Sequence, residues 1–252
     1  MSDDEPVFTP SKFAEHEAQV HGMKREETRI PPQLIVVYSS RYLKYLQKIT
    51  HSKPVKWWYN RQRPLHAGYY GDKPISILCN WIGAPAASMM LEEVIAFGAK
   101  MIIEVGVAGG IQPYLRPGDI LLVTGARRDE GTSYHYFPSK VELQCSRELC
   151  KRIEDYFVKH RLKYHKGIVW TTDGVYRETR GKFRKFQGEG VLGVNMETSA
   201  LLAVSQYRKV KFSSLQVVSD VLSEEGWILA FGSKEVRNSM KKAFEGALQA
   251  LT

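Results

Sequence analysis

Seven short runs rich in apolar residues are spaced along the chain: LIVVY (34–38), ISILC (75–79), MIIEV (101–105), DILLV (119–123), GIVW (167–170), GVLGV (190–194) and SLQVVS (214–219). Several are apolar throughout rather than alternating, as strands read when both faces of their sheet are covered. Between them lie segments of helical periodicity at 86–100, 146–160, 196–208 and 233–251. Gly98 and lysines near the ends of these segments suit helix stops. Interleaved strands and helices predict one α/β domain over residues 34–252, preceded by an arm over 1–33 that ends at Pro31-Pro32.

A chain of 252 residues can bury a substantial core as one large domain. No apolar stretch reaches the roughly 18–20 residues that span a bilayer. The acidic start MSDDEPVFTP lacks the basic and apolar regions of a signal peptide, so a cytoplasmic protein is expected. Cys79, Cys145 and Cys150 form no paired spacing and no Cys/His cluster, so neither a disulfide framework nor a metal site is expected. The net charge of +9 favours anionic partners. The densest basic patch, RETRGKFRKF (177–186), also suits a solvated helix face, and nucleic acid is not the expected partner.

The stretch MIIEVGVAGGIQPYLRPGDILLV (101–123) sets glycines directly after a strand. It is not a dinucleotide fingerprint, because no helix follows the glycines, and no Gly-Lys-Ser/Thr makes it a P-loop. A glycine loop that lets a ligand approach the backbone and a plain tight connection both fit these residues.

EVGVAGGIQPYLRPGDILLV resembles the glycine-loop signature shared by purine nucleoside phosphorylases, uridine phosphorylases and methylthioadenosine nucleosidases. The similarity extends in order through 71–100, RRDEGTSYHY (127–136), WTTDGVYRET (170–179), VNMETSALLAV (194–204) and VVSD (217–220), and covers roughly residues 30–251. It implies a three-layer α/β/α fold with a central mixed, partly barrel-like sheet. It also implies phosphorolysis of a nucleoside to free base and ribose 1-phosphate, with inorganic phosphate as co-substrate and no metal or organic cofactor. Relatives of this kind are dimers or trimers of dimers that share active sites across subunits. A homo-oligomer is therefore expected.

Glycoside cleavage passes through an oxocarbenium-like sugar. The enzyme must grip the ribose, help the base leave and bring a nucleophile to the other face. A carboxylate can accept strong, charge-assisted bonds from two vicinal hydroxyls. The resemblance assigns that role to Glu197, with Met196 packing on the sugar. The plain alternative for Glu197 is an acid stabilised at a helix N-terminus. Asn195 departs from the second glutamate that uridine phosphorylases tend to carry there. The resemblance makes Ser219 and Asp220 the base-binding pair, with Asp220 as general acid toward a purine N7. A purine is thus favoured and uridine is possible. Arg177 and Arg180 could imitate part of a pyrimidine clamp or belong to a solvated turn. Thr132 and Tyr134 could line the base pocket, although aromatics there also suit a core. His21 could reach a neighbour's ribose, or be a surface histidine.

The nucleophile end departs from the family pattern. The resemblance assigns phosphate to Arg41, to Arg61 lent by a neighbouring subunit (Arg63 being a near alternative) and to the glycine loop at Gly106. Yet Tyr38-Ser39 stands where phosphorylases carry Gly-Asp, and Glu104 stands where they carry an arginine. Two unit charges of like sign at ~4 Å and an effective dielectric of ~20 repel by about 4 kcal/mol. Glu104 would oppose phosphate unless it points away, is protonated, or pairs with Arg41 or Arg61. The alternative functions are accordingly a hydrolytic nucleosidase using water and a non-catalytic nucleoside-binding homologue. Intact Glu197 and Asp220 argue against the latter.

Overall fold

The computed structural model describes residues 5–252. In chain order the elements are α1 (Pro10–Val20), β1 (Gln33–Val37), α2 (Ser40–Thr50), β2 (Lys53–Pro54), β3 (Leu65–Tyr70), β4 (Lys73–Cys79), α3 (Ala84–Ala96) and β5 (Met101–Gly110). There follow β6 (Ile120–Asp129), β7 (Leu143–Gln144), α4 (Arg147–Lys159), β8 (His165–Thr172), α5 (Arg180–Gly188), β9 (Gly193–Asn195), α6 (Thr198–Tyr207), β10 (Lys211–Leu222), β11 (Trp227–Leu229) and α7 (Lys234–Leu251).

All the strands join one mixed sheet, ordered β11-β10-β6-β8-β9-β5-β1-β4-β3-β2 with β7 on β6. A further pairing of β10 with β5 closes β5, β10, β6, β8 and β9 into a barrel. The fold is therefore the three-layer α/β/α arrangement with a central, partly barrel-like sheet. Leu34 to Val37 of β1 are completely buried, which explains why this strand reads as continuously apolar. Helix α3 packs on α6, α4 packs on α7, and α1 lies against α3. Among the described residues no helix is long and apolar enough to cross a membrane.

Three local differences from the sequence reading bear on the site. The glycine stretch 106–110 is strand rather than loop. β10 pairs with β5 from Met101 to Gly110, and β9 takes the other edge of Gly109 and Gly110. The register between β10 and β5 slips between Val218 and Asp220, so Ser219 is an extra residue in β10. Such a bulge bends the strand and re-aims the next side chain. Helix α6 begins at Thr198, which leaves Met196 and Glu197 in the turn ahead of it.

The basic patch at 177–186 largely forms α5. Phe183 and Phe186 are buried beside Trp170 and Val191, while Lys182 pairs with Asp129 and Arg184 with Glu224. It is the polar face of an amphipathic helix.

Candidate active site

A cleft of about 600 Å³ opens where the C-terminal halves of β5 and β10 meet β9 and the turn before α6. Its lining includes Met196, Glu197, Ser219, Asp220 and Gly106, which the sequence places in segments far apart. Tyr38, Ser39, Tyr42, Asn195, Glu178 and Trp227 complete much of its polar and aromatic wall.

Glu197 is the N-cap residue of α6, but its side chain does not cap its own helix. Oε1 instead accepts the Gly83 N–H at 2.9 Å, and Oε2 accepts the Met196 N–H at 3.3 Å. Gly83 has φ +96, which a residue with a side chain rarely adopts, so the turn into α3 needs glycine to aim that N–H. Glu197 is only 7% exposed. Burial, and then the charge of Glu104, push its carboxyl up to about 7.

Asp220 follows the bulge in β10. Its Oδ1 accepts the Ser219 hydroxyl at 2.6 Å, and its Oδ2 accepts the Trp227 indole N–H at 2.6 Å. Trp227 reaches back because β11 pairs antiparallel with β10 across a tight turn. A Cβ at position 109 would lie 2.6 Å from Leu222 Cδ1 and 3.1 Å from Asp220 Oδ2. At position 106 it would lie 2.8 Å from Gln216 Oε1. These two glycines therefore make room for side chains of the neighbouring strand.

Glu104 is completely buried beneath the cleft. It accepts the Tyr38 hydroxyl at 2.5 Å and the Thr198 hydroxyl at 2.7 Å. Among the described residues no arginine pairs with it, so pairing with Arg41 or Arg61 is replaced by these two hydroxyls. Burial raises its pKa, and hydrogen bonds from Tyr38, Thr198, Ser214 and Gln216 offset part of that rise. Asn195 ties the network to the wall, donating to Thr198 and accepting from Thr171 at 2.9 Å.

The remaining expected residues lie outside the cleft lining. Arg41 is exposed in the first turn of α2, and Arg61 is exposed with its guanidinium on the Lys56 carbonyl at 3.2 Å. Arg63, the near alternative, stacks its guanidinium 4.0 Å over the Trp81 ring. His21 caps the C-terminal end of α1, 3.9 Å from Glu17. Thr132 lines a separate shallow pocket with His135 and Asp173, and Tyr134 lies under Arg128. Arg177 and Arg180 are exposed, and the residue between them that faces the cleft is Glu178. Sequence reasoning passed over Glu178, Tyr38 and Trp227 as site residues. For Trp227 a signal exists in Ser-Glu-Glu-Gly (223–226), a turn that folds the next residues back toward Asp220.

The family model for the phosphorylase superfamily matches residues 34–251. The chain belongs to the phosphorylase superfamily. Within it, a uridine phosphorylase from Treponema pallidum is 30% identical over 194 residues, covering 71% of this chain and 73% of the relative. A DeoD-type purine nucleoside phosphorylase from Buchnera aphidicola is 27% identical, with 74% and 79% covered. Among solved structures of the superfamily, uridine phosphorylase from Vibrio fischeri superposes with a TM-score of 0.79 at 26% identity, covering 89% of this chain and 93% of that one. Purine nucleoside phosphorylase from Toxoplasma gondii, in complex with immucillin-H, gives a TM-score of 0.82 at 21% identity, covering 90% and 92%, and shares the fold. The chain is thus an enzyme of the phosphorylase superfamily, with relatives named for both pyrimidine and purine nucleosides.

Proposed function

We propose that the chain cleaves the N-glycosidic bond of a nucleoside, a purine by preference, with inorganic phosphate as the attacking group. The observation that carries this reading is the convergence of Glu197, Met196, Ser219 and Asp220 on one cleft. Glu197 holds the two ribose hydroxyls through its carboxylate, oriented by Gly83 and Met196. Met196 covers the sugar. Asp220 holds the base, itself oriented by Ser219 and Trp227. As the C1′–N bond lengthens, positive charge grows on the sugar, and fixed carboxylates around it stabilise that charge. The names of the relatives support phosphate as nucleophile.

One observation favours a second reading, hydrolysis. No lysine or arginine lines the cleft among the described residues, and Glu104 lies beneath it. Such a surface repels a dianion and accepts water. Phosphorolysis here would draw its cations from Arg41 after a side-chain rotation, or from a neighbouring copy's Arg61, with His21 of that copy near the ribose. This makes a homodimer or trimer of dimers part of the phosphorolytic reading.

The test is base release from inosine, adenosine and uridine in phosphate buffer and in strictly phosphate-free buffer, with the sugar product identified. Phosphate-dependent release with ribose 1-phosphate supports the first reading. Free ribose without phosphate supports the second. No release from any of the three contradicts both.

A further inference from the structure

Resting on the reading of the cleft as a nucleoside-cleaving site, we propose that Glu178 is the acid that protonates the departing base, while Asp220 serves as a hydrogen-bond acceptor beside it. Three observations carry this.

Glu178 lines the same cleft as Asp220 and Glu197. Second, its carboxyl has no hydrogen-bond or ion-pair partner among the described residues; burial and the charge of Asp220 are what act on it. It is partly buried, and burial favours an uncharged carboxyl. Third, Asp220 is already committed. The Trp227 indole N–H can only donate, so Asp220 Oδ2 must accept, and Ser219 occupies Oδ1. One carboxyl is thus set to give a proton and its neighbour to receive hydrogen bonds, a division of roles that differing environments impose on paired acids.

Glu178 is pushed up to about 7, so a large share of it is protonated at neutral pH. The charged groups that face it across the cleft are Asp220 from β10 and Glu197 from the turn before α6, both acids. Arg177 and Arg180 flank it in sequence but lie outside the cleft lining.

In the step, the C1′–N9 bond breaks and its electron pair passes to the base. Glu178 gives its proton to N7, and the base leaves neutral. An oxygen of phosphate or water bonds to C1′. The proton that this nucleophile sheds to solvent restores Glu178 to the acid form. Glu197 must be ionised to grip the ribose while Glu178 must be protonated, and both titrate at about 7. The pH profile of kcat/KM is therefore a narrow bell.

The experiment compares wild type, E178Q and E178A on guanosine and on 7-methylguanosine. The methylated base carries its positive charge already and leaves without a proton. The expected result is a fall in kcat of about a hundredfold or more on guanosine for both variants, with less than about a tenfold change on 7-methylguanosine and loss of the alkaline limb of the pH profile. Equal losses on the two substrates, or an unchanged alkaline limb, would overturn the role of Glu178. If wild type cleaves guanosine and both variants match it, this inference fails while the nucleoside reading stands. If wild type cleaves neither guanosine nor any of inosine, adenosine and uridine, the reading fails and takes this inference with it.

Discussion

On one side of the cleft, Met196, Glu197, Ser219 and Asp220 are fixed by backbone N–H groups, a strand bulge and a hairpin, whereas the two arginines assigned to phosphate, Arg41 and Arg61, stand exposed outside the lining. The first group sits on strand ends and the turn that follows, where sheet register dictates position. The second sits at the start of a helix and in a loop, where long flexible side chains take their place from whatever anion or neighbour is present. On the proposed reading, the groups for base and ribose are all held in place within this chain, and those for the nucleophile are not. In place of a cation, that side holds Glu104 and the phenol of Tyr38.

The largest expected effect tests the fixed side. Replacing Glu197 by alanine removes the acceptor for two hydroxyls, each bond to a charged group being worth roughly 1.5–3 kcal/mol. A fall in kcat/KM of about a thousandfold is expected, with a thermal melt showing that the fold is kept. Gly109→Ala comes next. The new methyl would sit 2.6 Å from Leu222 and 3.1 Å from Asp220. Overpacking of this kind costs about 1–3 kcal/mol, and the displaced Asp220 should lower kcat roughly tenfold or more, read by denaturant titration and steady-state kinetics.

The other side is tested by exchange. Glu104→Arg alone would bury an unpaired cation beneath Tyr38, so it is combined with Tyr38→Gly to open the space. The double variant should lower the KM for phosphate about tenfold, one charge-assisted contact being worth about 1.4 kcal/mol or more. An unchanged KM would separate Glu104 from phosphate use altogether.

The smallest effect concerns stability. Burial raises the pKa of Glu104 in the folded chain above its unfolded value. The folded state then binds the proton more tightly, and stability from this group falls as pH rises from the ordinary carboxylate range toward the folded pKa. Glu104→Gln should therefore lose less stability than wild type between pH 5 and pH 8 in urea titrations. An identical decline in both proteins would show that Glu104 does not titrate on unfolding.

What could be read from the sequence follows the same division. The apolar strands were legible because the barrel and its helices cover both faces, whereas Glu197 and Asp220 came from the resemblance of VNMETSAL and VVSD to family motifs. The glycines of β5 fitted either a close approach or a plain connection, and the groups that approach them are Gln216, Leu222 and Asp220. No local pattern predicts that β10 and β9 would flank them and turn the loop into strand. Helix α2 was not read from the sequence, although Leu43, Leu46 and Ile49 recur at helical spacing. The partnership of Tyr38 with Glu104 joins residues 66 apart in sequence through strand pairing, and nothing in either segment announces it. Glu178 was masked by the arginines on either side, since which of the three faces inward depends on the turn before α5.

The most direct measurement is a cycle of kcat/KM values for a nucleoside and its 2′,3′-dideoxy analogue, in wild type and in Glu197→Ala. If Glu197 grips the ribose, wild type should prefer the hydroxylated sugar by about a hundredfold or more, and the variant should lose nearly all of that preference. A variant that keeps the full preference while losing activity would contradict the account, because the hydroxyls would then be held by some other group.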